Sequence, residues 1–127
     1  MKIRYFRYSM QTRLKHYILI IGLIIISLVG VKGLFHSGFY TSHDGWHMVA
    51  RLYYFYQSLQ DGQFPPRWGG LLLNKFGYPL FIYSYHLPWW IGSVFMYLGF
   101  NIFDAIKGTF ILTYVLSGIT MYLEPSR

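Results

Sequence analysis

Residues 17–31 read YILIIGLIIISLVGV, an apolar run that contains no charged side chain. The run continues to residue 35 with one charged interruption, Lys32, whose long side chain can reach the lipid headgroups from near the end of a span. Because a helix rises about 1.5 Å per residue, a segment of this length crosses a hydrocarbon core of roughly 30 Å. The sequence therefore predicts a transmembrane helix over 17–35. A cleaved signal peptide is the competing interpretation of an apolar run that follows a basic N-terminus.

Two more apolar runs follow later in the chain. Residues 88–103 open with a proline, which suits a first helical turn, and with two tryptophans, which favour the membrane–water interface. Residues 108–123 form the third run. Asp104 and Lys107 lie between these two runs, so we expect a short cytoplasmic turn at 104–107. The three runs together predict three transmembrane helices.

The charge distribution orients the predicted helices. The net charge is +7, and removing the five cations that precede the first run leaves only +2 for residues 16–127. Those five cations are Lys2, Arg4, Arg7, Arg13 and Lys15. Cytoplasmic segments are rich in Lys and Arg, so residues 1–16 are predicted to be a cytoplasmic tail and residues 36–87 an extracytoplasmic loop. The basic cluster is thus explained as a topology signal, which argues against nucleic acid as a partner.

The composition supports a membrane protein. Hydrophobic residues make up 54% of the 127 residues and charged residues only 12%, about half the charged fraction of an ordinary soluble domain. The absence of cysteine excludes a disulfide scaffold and a zinc–thiolate site. We therefore expect an all-α, multi-pass protein of the cell membrane, with membrane lipids as partners and a single membrane domain.

The long loop contains a predicted amphipathic helix at about residues 44–60. Ser42 or Asp44 can cap its start, and Asp61 followed by Gly62 supplies a stop. At 100° per residue, one face carries polar side chains and the other carries mostly aromatic and aliphatic ones. The polar face consists of Asp44, His47, Arg51, Tyr54 and Ser58, with Phe55 intruding, and the opposite face of Trp46, Val49, Ala50, Tyr53 and Tyr56. Such a helix is expected to lie along the membrane surface with its aromatic face down.

Several side chains of this loop have both a structural and a functional interpretation. Asp44 is either a helix cap or a reactive carboxylate. His43 and His47 are four residues apart, a spacing that permits shared metal ligation on one helical turn. Arg67 and Lys75 can attract a phosphate, while the aromatic residues around them either form an interfacial belt or stack on sugar faces.

Four short motifs carry a resemblance to a known family. They are HDGWH at 43–47, DGQFPPRW at 61–68, GYPLF at 77–81 and LPWW at 87–90. In this combination the chain resembles the multi-pass membrane proteins described as the "6-pyruvoyl-tetrahydropterin synthase-related" membrane domain, which is similar to glycosyltransferases of the GT-C fold. The resemblance covers about residues 17–123, and no residue here matches the metal triad of the soluble pterin synthase.

The resemblance implies a donor and a catalytic residue. GT-C enzymes use a polyprenyl-phosphate-linked sugar and place an acidic residue in the first extracytoplasmic loop, which matches Asp44. That residue would act as general base on an acceptor hydroxyl or help to hold a divalent cation, and the cofactor is otherwise unknown. From charge alone, we predict that the substrate is bound by His47, Arg51, Arg67 and Lys75. Asp44 has no second acid close to it in sequence, unlike the paired acids of many GT-C loops.

The length keeps other functions open. GT-C enzymes are several hundred residues long, so we expect this chain to be the N-terminal part of such an enzyme and inactive alone. One alternative is a small non-catalytic membrane protein that docks to a larger partner through small-residue faces formed by Gly92, Gly99, Gly108 and Gly118. Another is a transport subunit that binds a metal through His43 and His47.

Overall fold

The computed structural model describes residues 2–40 and 42–124, with side chains described from Leu14 onward. The described residues form four α-helices and two short 3₁₀ helices, so the predicted all-α class is confirmed. The α-helices are α1 (Lys2–Gly30), α2 (Gly45–Gln60), α3 (Leu87–Tyr97) and α4 (Ile102–Leu123), and the 3₁₀ helices are Lys32–Phe35 and Leu80–Ile82. The described residues contain no β-strand, only an isolated antiparallel bridge between Gly69 and Tyr78.

The chain forms two compact units. One consists of the described parts of Met1–His36 and Ile111–Arg127, and the other is Ser37–Phe110. The first unit therefore contains α1 and the second half of α4. The second unit contains α2, α3 and the first half of α4.

Small residues let α1 and α4 approach each other in the first unit. A Cβ built on Gly30 would lie 3.3 Å from the Tyr114 hydroxyl oxygen, and one on Gly118 would lie 3.4 Å from Ser27 Oγ. A hydrogen bond of 2.6 Å joins His16 Nδ1 to the Tyr122 hydroxyl. From Leu14 onward, most of the large apolar side chains of α1 are exposed, as expected for side chains that face lipid.

One helix among the described residues, α4, is long and apolar enough to cross a membrane. The apolar part of α1, Leu14–Gly30, is shorter, and α3 has only 11 residues, which span about 16 Å of a core of roughly 30 Å. The three predicted spans are therefore not confirmed. Helix α1 begins at Lys2, so the predicted cytoplasmic tail at 1–16 is helical from that residue onward. The side chains of residues 1–13, which include four of the five N-terminal cations, lie outside the described part.

The turn between the last two helices lies at 98–101, not at the predicted 104–107. Gly99, with φ +93°, ends α3. Its N–H donates a hydrogen bond to Met96 O at 3.0 Å, and the N–H of Phe100 donates one to Phe95 O at 3.1 Å. These two hydrogen bonds form a Schellman motif. Asn101 then caps α4, because its Oδ1 accepts from the Asp104 N–H at 2.9 Å. The sequence prediction placed the turn at the charged residues, whereas the cap chemistry lies a few residues earlier.

This shift places Lys107 inside α4. Its side chain is buried, and its Nζ lies 3.9 Å from Asp104 Oδ1 one helical turn earlier. The residue expected in a cytoplasmic turn is therefore part of the packed interior of the second unit.

The core of Ser37–Phe110 is built where α2, α3 and the start of α4 meet. Phe55 is fully buried, and its ring makes edge-on contacts with Phe81 at 5.1 Å and with Trp90 at 5.3 Å. Gly92 allows α3 to pack closely, because a Cβ there would lie 2.7 Å from a Leu52 methyl group. These contacts hold α2 against α3.

The facing of α2 differs from the prediction although its bounds agree with it. The helix runs over Gly45–Gln60 and ends with Gly62 at φ +85°. Its buried side includes Leu52, Phe55 and Ser58, so part of the predicted polar face points into the core. Trp46 and Tyr53, from the predicted aromatic face, are exposed. The reason is that Phe55 lies on the predicted polar face. Burial of its large apolar ring stabilises the fold by more than the burial of its polar neighbours costs.

The four glycines proposed for docking are used within the chain. Gly92 packs under Leu52, and a Cβ on Gly108 would lie 3.2 Å from the Phe95 ring. Gly99 forms the end of α3, and Gly118 faces Ser27. These positions already serve packing and turns of the chain itself.

Candidate functional site

A cavity of about 240 Å³ lies beside α2 in the second unit. One wall comes from α2 and the other from the segment that follows it. The lining residues are His47, Ala50, Arg51, Leu72, Leu73, Tyr78 and Leu80. Ligand sites are typically concave and mostly apolar, with a few polar groups that orient the ligand. This cavity has that character, because its polar side chains are one histidine, one arginine and one tyrosine.

The helix wall follows from helical geometry. His47 and Arg51 are four residues apart and therefore share a face of α2, one turn above the other. Leu52 and Phe55 fix the rotation of the helix, because both are buried in the core on another side. The amphipathic pattern thus brings two predicted substrate-binding residues to one cavity.

The opposite wall is a closed loop at residues 69–78, called the apical loop below. Its ends are joined by two backbone hydrogen bonds between Gly69 and Tyr78, of 2.9 and 3.1 Å. Trp68 packs against the other side of this neck, and a Cβ on Gly77 would fall 2.6 Å from its ring atom Cε2. Gly77 also has φ +79°, so glycine is required there for both reasons.

Three consecutive non-glycine residues of the apical loop have a left-handed backbone. The φ angles are +52° at Leu73, +55° at Asn74 and +74° at Lys75. Each such residue costs roughly 1–2 kcal/mol relative to a right-handed conformation, although asparagine tolerates it better. Strain of this kind is characteristic of ligand clamps and other functional segments. The loop holds Leu72 and Leu73 against the cavity in this conformation.

Arg51 is the half-buried cation of the cavity. Within the described part of the chain, its guanidinium makes neither an ion pair nor a hydrogen bond. A half-buried charge of this kind is stabilised by an anionic partner, and the planar guanidinium is suited to bidentate contact with phosphate. The cavity therefore offers a cationic group that can bind an anion.

Asp44 lies at the N-cap of α2, one helical turn before His47. Its carboxylate makes no capping hydrogen bond; instead, Oδ1 lies 3.1 Å from His43 Nδ1. The Asp44 side chain is 67% exposed, and the residue is not part of the cavity lining. The capping interpretation is therefore wrong for the side chain, and the carboxylate is accessible to a molecule that approaches the end of α2.

The segment before α2 covers that helix end with aromatic rings. Phe39 packs against Gly45, where a Cβ would lie 2.9 Å from its ring, and its ring centroid is 5.9 Å from that of Trp46. The neighbouring Tyr40 is partly buried, and this burial raises the pKa of its phenol above the ordinary 10.0. The phenol is therefore neutral at neutral pH, and Tyr40 contributes a hydroxyl rather than a charge.

The other two predicted substrate-binding residues do not line the cavity. Arg67 is exposed in the turn that Gln63 organises, where Gln63 Oε1 accepts from the backbone N–H groups of Arg67 at 3.4 Å and Trp68 at 3.2 Å. Lys75 lies in the left-handed part of the apical loop and is exposed. Of the four predicted residues, the structure brings together His47 and Arg51 only.

The sequence interpretation missed Tyr78 as a member of the site. It lies in the quoted GYPLF stretch, but its position beside Arg51 depends on the bridge to Gly69. A ladder contact between two irregular segments leaves no periodic signal in the sequence. Hydroxyl groups such as that of Tyr78 are suited to orienting a sugar or a phosphate.

The described residues contain no group of three or more His, Cys, Asp or Glu side chains arranged to hold a metal ion. His43 is almost fully exposed and contacts Asp44, and His47 lines the cavity beside Arg51. The two histidines proposed for a metal-binding transport subunit therefore lie in different surroundings, one beside Asp44 and the other in the cavity wall.

A second cavity of about 400 Å³ lies between α2 and α3. Its walls are mainly aromatic and aliphatic and include no cation. The lining residues are Tyr56, Leu59, Gln60, Trp90, Ser93, Val94 and Tyr97. This cleft is larger than the Arg51 cavity, but it offers an anion no charge. The Arg51 cavity is therefore the stronger candidate for a polar ligand.

Comparisons with protein families, with curated proteins and with solved structures find no match to this chain.

Proposed function

We propose that the chain contributes to an integral-membrane glycosyltransferase of the GT-C type that uses a polyprenyl-phosphate-linked sugar. The observation that carries the proposal is Arg51, a half-buried cation that has no counter-ion among the described residues and lies in an otherwise mainly apolar cavity. A donor of this class combines a phosphate, a sugar and a long apolar chain. The cavity contains a cation for the phosphate, hydrogen-bonding side chains for the sugar and leucine side chains for the start of the apolar chain.

The individual contacts follow from the lining. Arg51 binds the donor phosphate, and His47 and Tyr78 donate hydrogen bonds to the phosphate or to sugar hydroxyls. Leu72 and Leu73 cover the first part of the apolar chain. The apolar helix α4 supports this assignment, since a protein with a membrane-spanning helix meets lipid-linked substrates in its own environment.

Asp44 is proposed as the general base. Its carboxylate is exposed about one helical turn, or roughly 5 Å along the axis, from His47. An acceptor hydroxyl that loses its proton to Asp44 attacks the anomeric carbon of the donor. The bond from that carbon to the phosphate oxygen then breaks, its electron pair stays on the oxygen, and Arg51 stabilises the negative charge that the leaving phosphate gains. If the reaction uses a divalent cation, the Asp44 carboxylate and the neighbouring His43 imidazole are the ligands available at this end of α2.

The experiment is a binding competition on the purified chain in lipid nanodiscs. The probe is a radiolabelled farnesyl-phosphate sugar, and the competitors are unlabelled farnesyl phosphate and farnesol. Farnesyl phosphate is expected to displace the probe, whereas farnesol at the same concentration is not, because Arg51 recognises the phosphate. Equal displacement by the two competitors, or absence of binding, would contradict the proposal.

The alternative of a small docking protein is less well supported. Its predicted contact surface consisted of four glycines, and those glycines are used in packing and turns of the chain itself. The Arg51 cavity also has no role in that alternative.

A further inference from the structure

The tip of the apical loop exposes three large apolar side chains. Phe76 is 85% exposed and Leu73 is 64% exposed, and Leu71 is also exposed. A large apolar side chain in water is unfavourable, and contiguous apolar surface usually marks a contact with a partner or a membrane. These side chains lie on a six-residue stretch of sequence, 71–76, which is called the apolar tip below.

Hydrogen bonds within the loop fix the backbone that carries these side chains. The hydrogen bonds at the neck join Gly69 and Tyr78, and inside the loop the Gly77 N–H bonds to Leu72 O at 2.9 Å. Leu73 and the two following residues adopt the strained left-handed conformation in this closed frame. The same frame turns Leu72 over Gly69 and the cavity, whereas Leu73, which also lines the cavity, keeps most of its side chain exposed.

Lys75 adds a positive charge to the apolar tip. It is exposed, and its amino group makes no ion pair with the carboxylates of the described chain. Aliphatic and aromatic side chains flanked by lysine are the combination that binds the boundary between lipid headgroups and acyl chains. A protein partner would need an apolar pocket with an acidic rim, whereas a bilayer supplies apolar interior and phosphate together.

We propose that the tip of the apical loop, Leu71, Leu73 and Phe76 with Lys75, inserts into the membrane interface. The apolar side chains enter the outer part of the hydrocarbon region, and Lys75 contacts lipid phosphates. The helix α4 is long and apolar enough to cross a membrane, which would bring the loop close to a bilayer without separate recruitment. The insertion does not depend on donor binding, although Leu73 belongs to both the tip and the cavity wall.

The sequence has no cysteine, so a single spin label reports one position without a background. The variants Leu73→Cys and Phe76→Cys carry the label at the tip, and Gln60→Cys carries it at the exposed end of α2 as the matched control. Each labelled chain is reconstituted into vesicles of phosphatidylcholine with phosphatidylglycerol. Collision rates are measured with oxygen, which concentrates in the bilayer, and with a nickel chelate, which stays in water.

The oxygen-to-nickel ratio is expected to be several-fold higher at residues 73 and 76 than at residue 60. Lys75→Gln is expected to remove the change in this ratio at residue 76 between vesicles with and without phosphatidylglycerol. Labels at both tip positions that meet nickel as freely as the control would overturn the proposal. Labels shielded from both reagents would also overturn it and indicate a covering protein. If the substitution at the strained residue 73 disturbs the loop, the label at residue 76 still tests the proposal, because Phe76 does not have a left-handed backbone.

Discussion

Arg51 and Gly77 show how single residues define the site. Arg51 projects from α2 into a cavity whose far wall is the apical loop, and Gly77 lies at the neck of that loop. The position of Arg51 could be predicted from helical periodicity. The role of Gly77 could not, because it depends on the Trp68 ring that packs against it.

Gly77→Ala is expected to destabilise the fold by about 2–4 kcal/mol, because a left-handed alanine costs roughly 1–2 kcal/mol and its Cβ overlaps the Trp68 ring as well. Gly62→Ala is the matched control: Gly62 has a similar φ of +85°, but a Cβ there meets open space. Thermal unfolding in detergent compares the two variants. Equal losses in the two would show that the Trp68 contact contributes nothing.

Asp44→Asn is expected to leave donor binding unchanged and to lower sugar transfer by about 10²–10⁴-fold, because the amide cannot accept the acceptor proton. Asp61→Asn serves as the control, since Asp61 is an exposed carboxylate at the other end of the same helix. Because the chain is expected to be inactive alone, the measurement is the transfer of labelled sugar from a polyprenyl-phosphate donor by membranes that contain a full-length relative with the corresponding substitutions. Transfer by Asp44→Asn at the rate of the control would remove Asp44 from catalysis.

The helices differ in how well their ends follow from the sequence. Both ends of α2 were predicted to within a residue, because Asp61 and Gly62 form a recognisable stop and the N-H of Gly62 bonds back to Leu59 O. The end of α3 was missed, since Gly99 lies inside an apolar run and hydropathy alone treats it as continuous. Apolar runs predict burial or lipid contact, whereas caps decide where a helix stops.

Phe55→Ala is expected to destabilise the second unit by about 3–5 kcal/mol, because it leaves a cavity among Phe81, Trp90 and Leu52 that these residues cannot fill. Tyr53→Ala, on an exposed side of the same helix, is the control and is expected to change stability much less. Chemical denaturation monitored by circular dichroism provides the comparison. A small loss in Phe55→Ala would mean that α2 is not held by this ring cluster.

For the whole molecule, the all-helical class and the bounds of α2 could be predicted, whereas the number of spans could not. Hydropathy counts apolar residues but not the length of the helix that carries them, and α3 ends after 11 residues. That His47 and Arg51 lie together could be predicted from one helix, whereas the positions of Tyr78 and the apical loop depend on long-range contacts; the binding role of these residues stays a prediction.

Membrane topology gives a prediction at this scale. If α1 and α4 both cross and α3 does not, residues 15 and 124 lie on the cytoplasmic side and residue 37 lies outside. Single variants Lys15→Cys, Ser37→Cys and Glu124→Cys in the cysteine-free chain test this with an impermeant maleimide on intact cells. Only Ser37→Cys is expected to react before permeabilisation. Reaction of Glu124→Cys with Lys15→Cys protected would instead indicate an odd number of spans.

The central claim, that the cavity binds a lipid-linked phosphate through Arg51, is tested most directly by the affinity of Arg51→Gln for farnesyl phosphate in nanodiscs. Loss of a charge-assisted contact is expected to weaken binding about tenfold or more. Lys75→Gln removes an equal charge outside the cavity and is expected to bind like the unmodified chain. Unchanged affinity in Arg51→Gln, or an equal loss in both variants, would contradict the account.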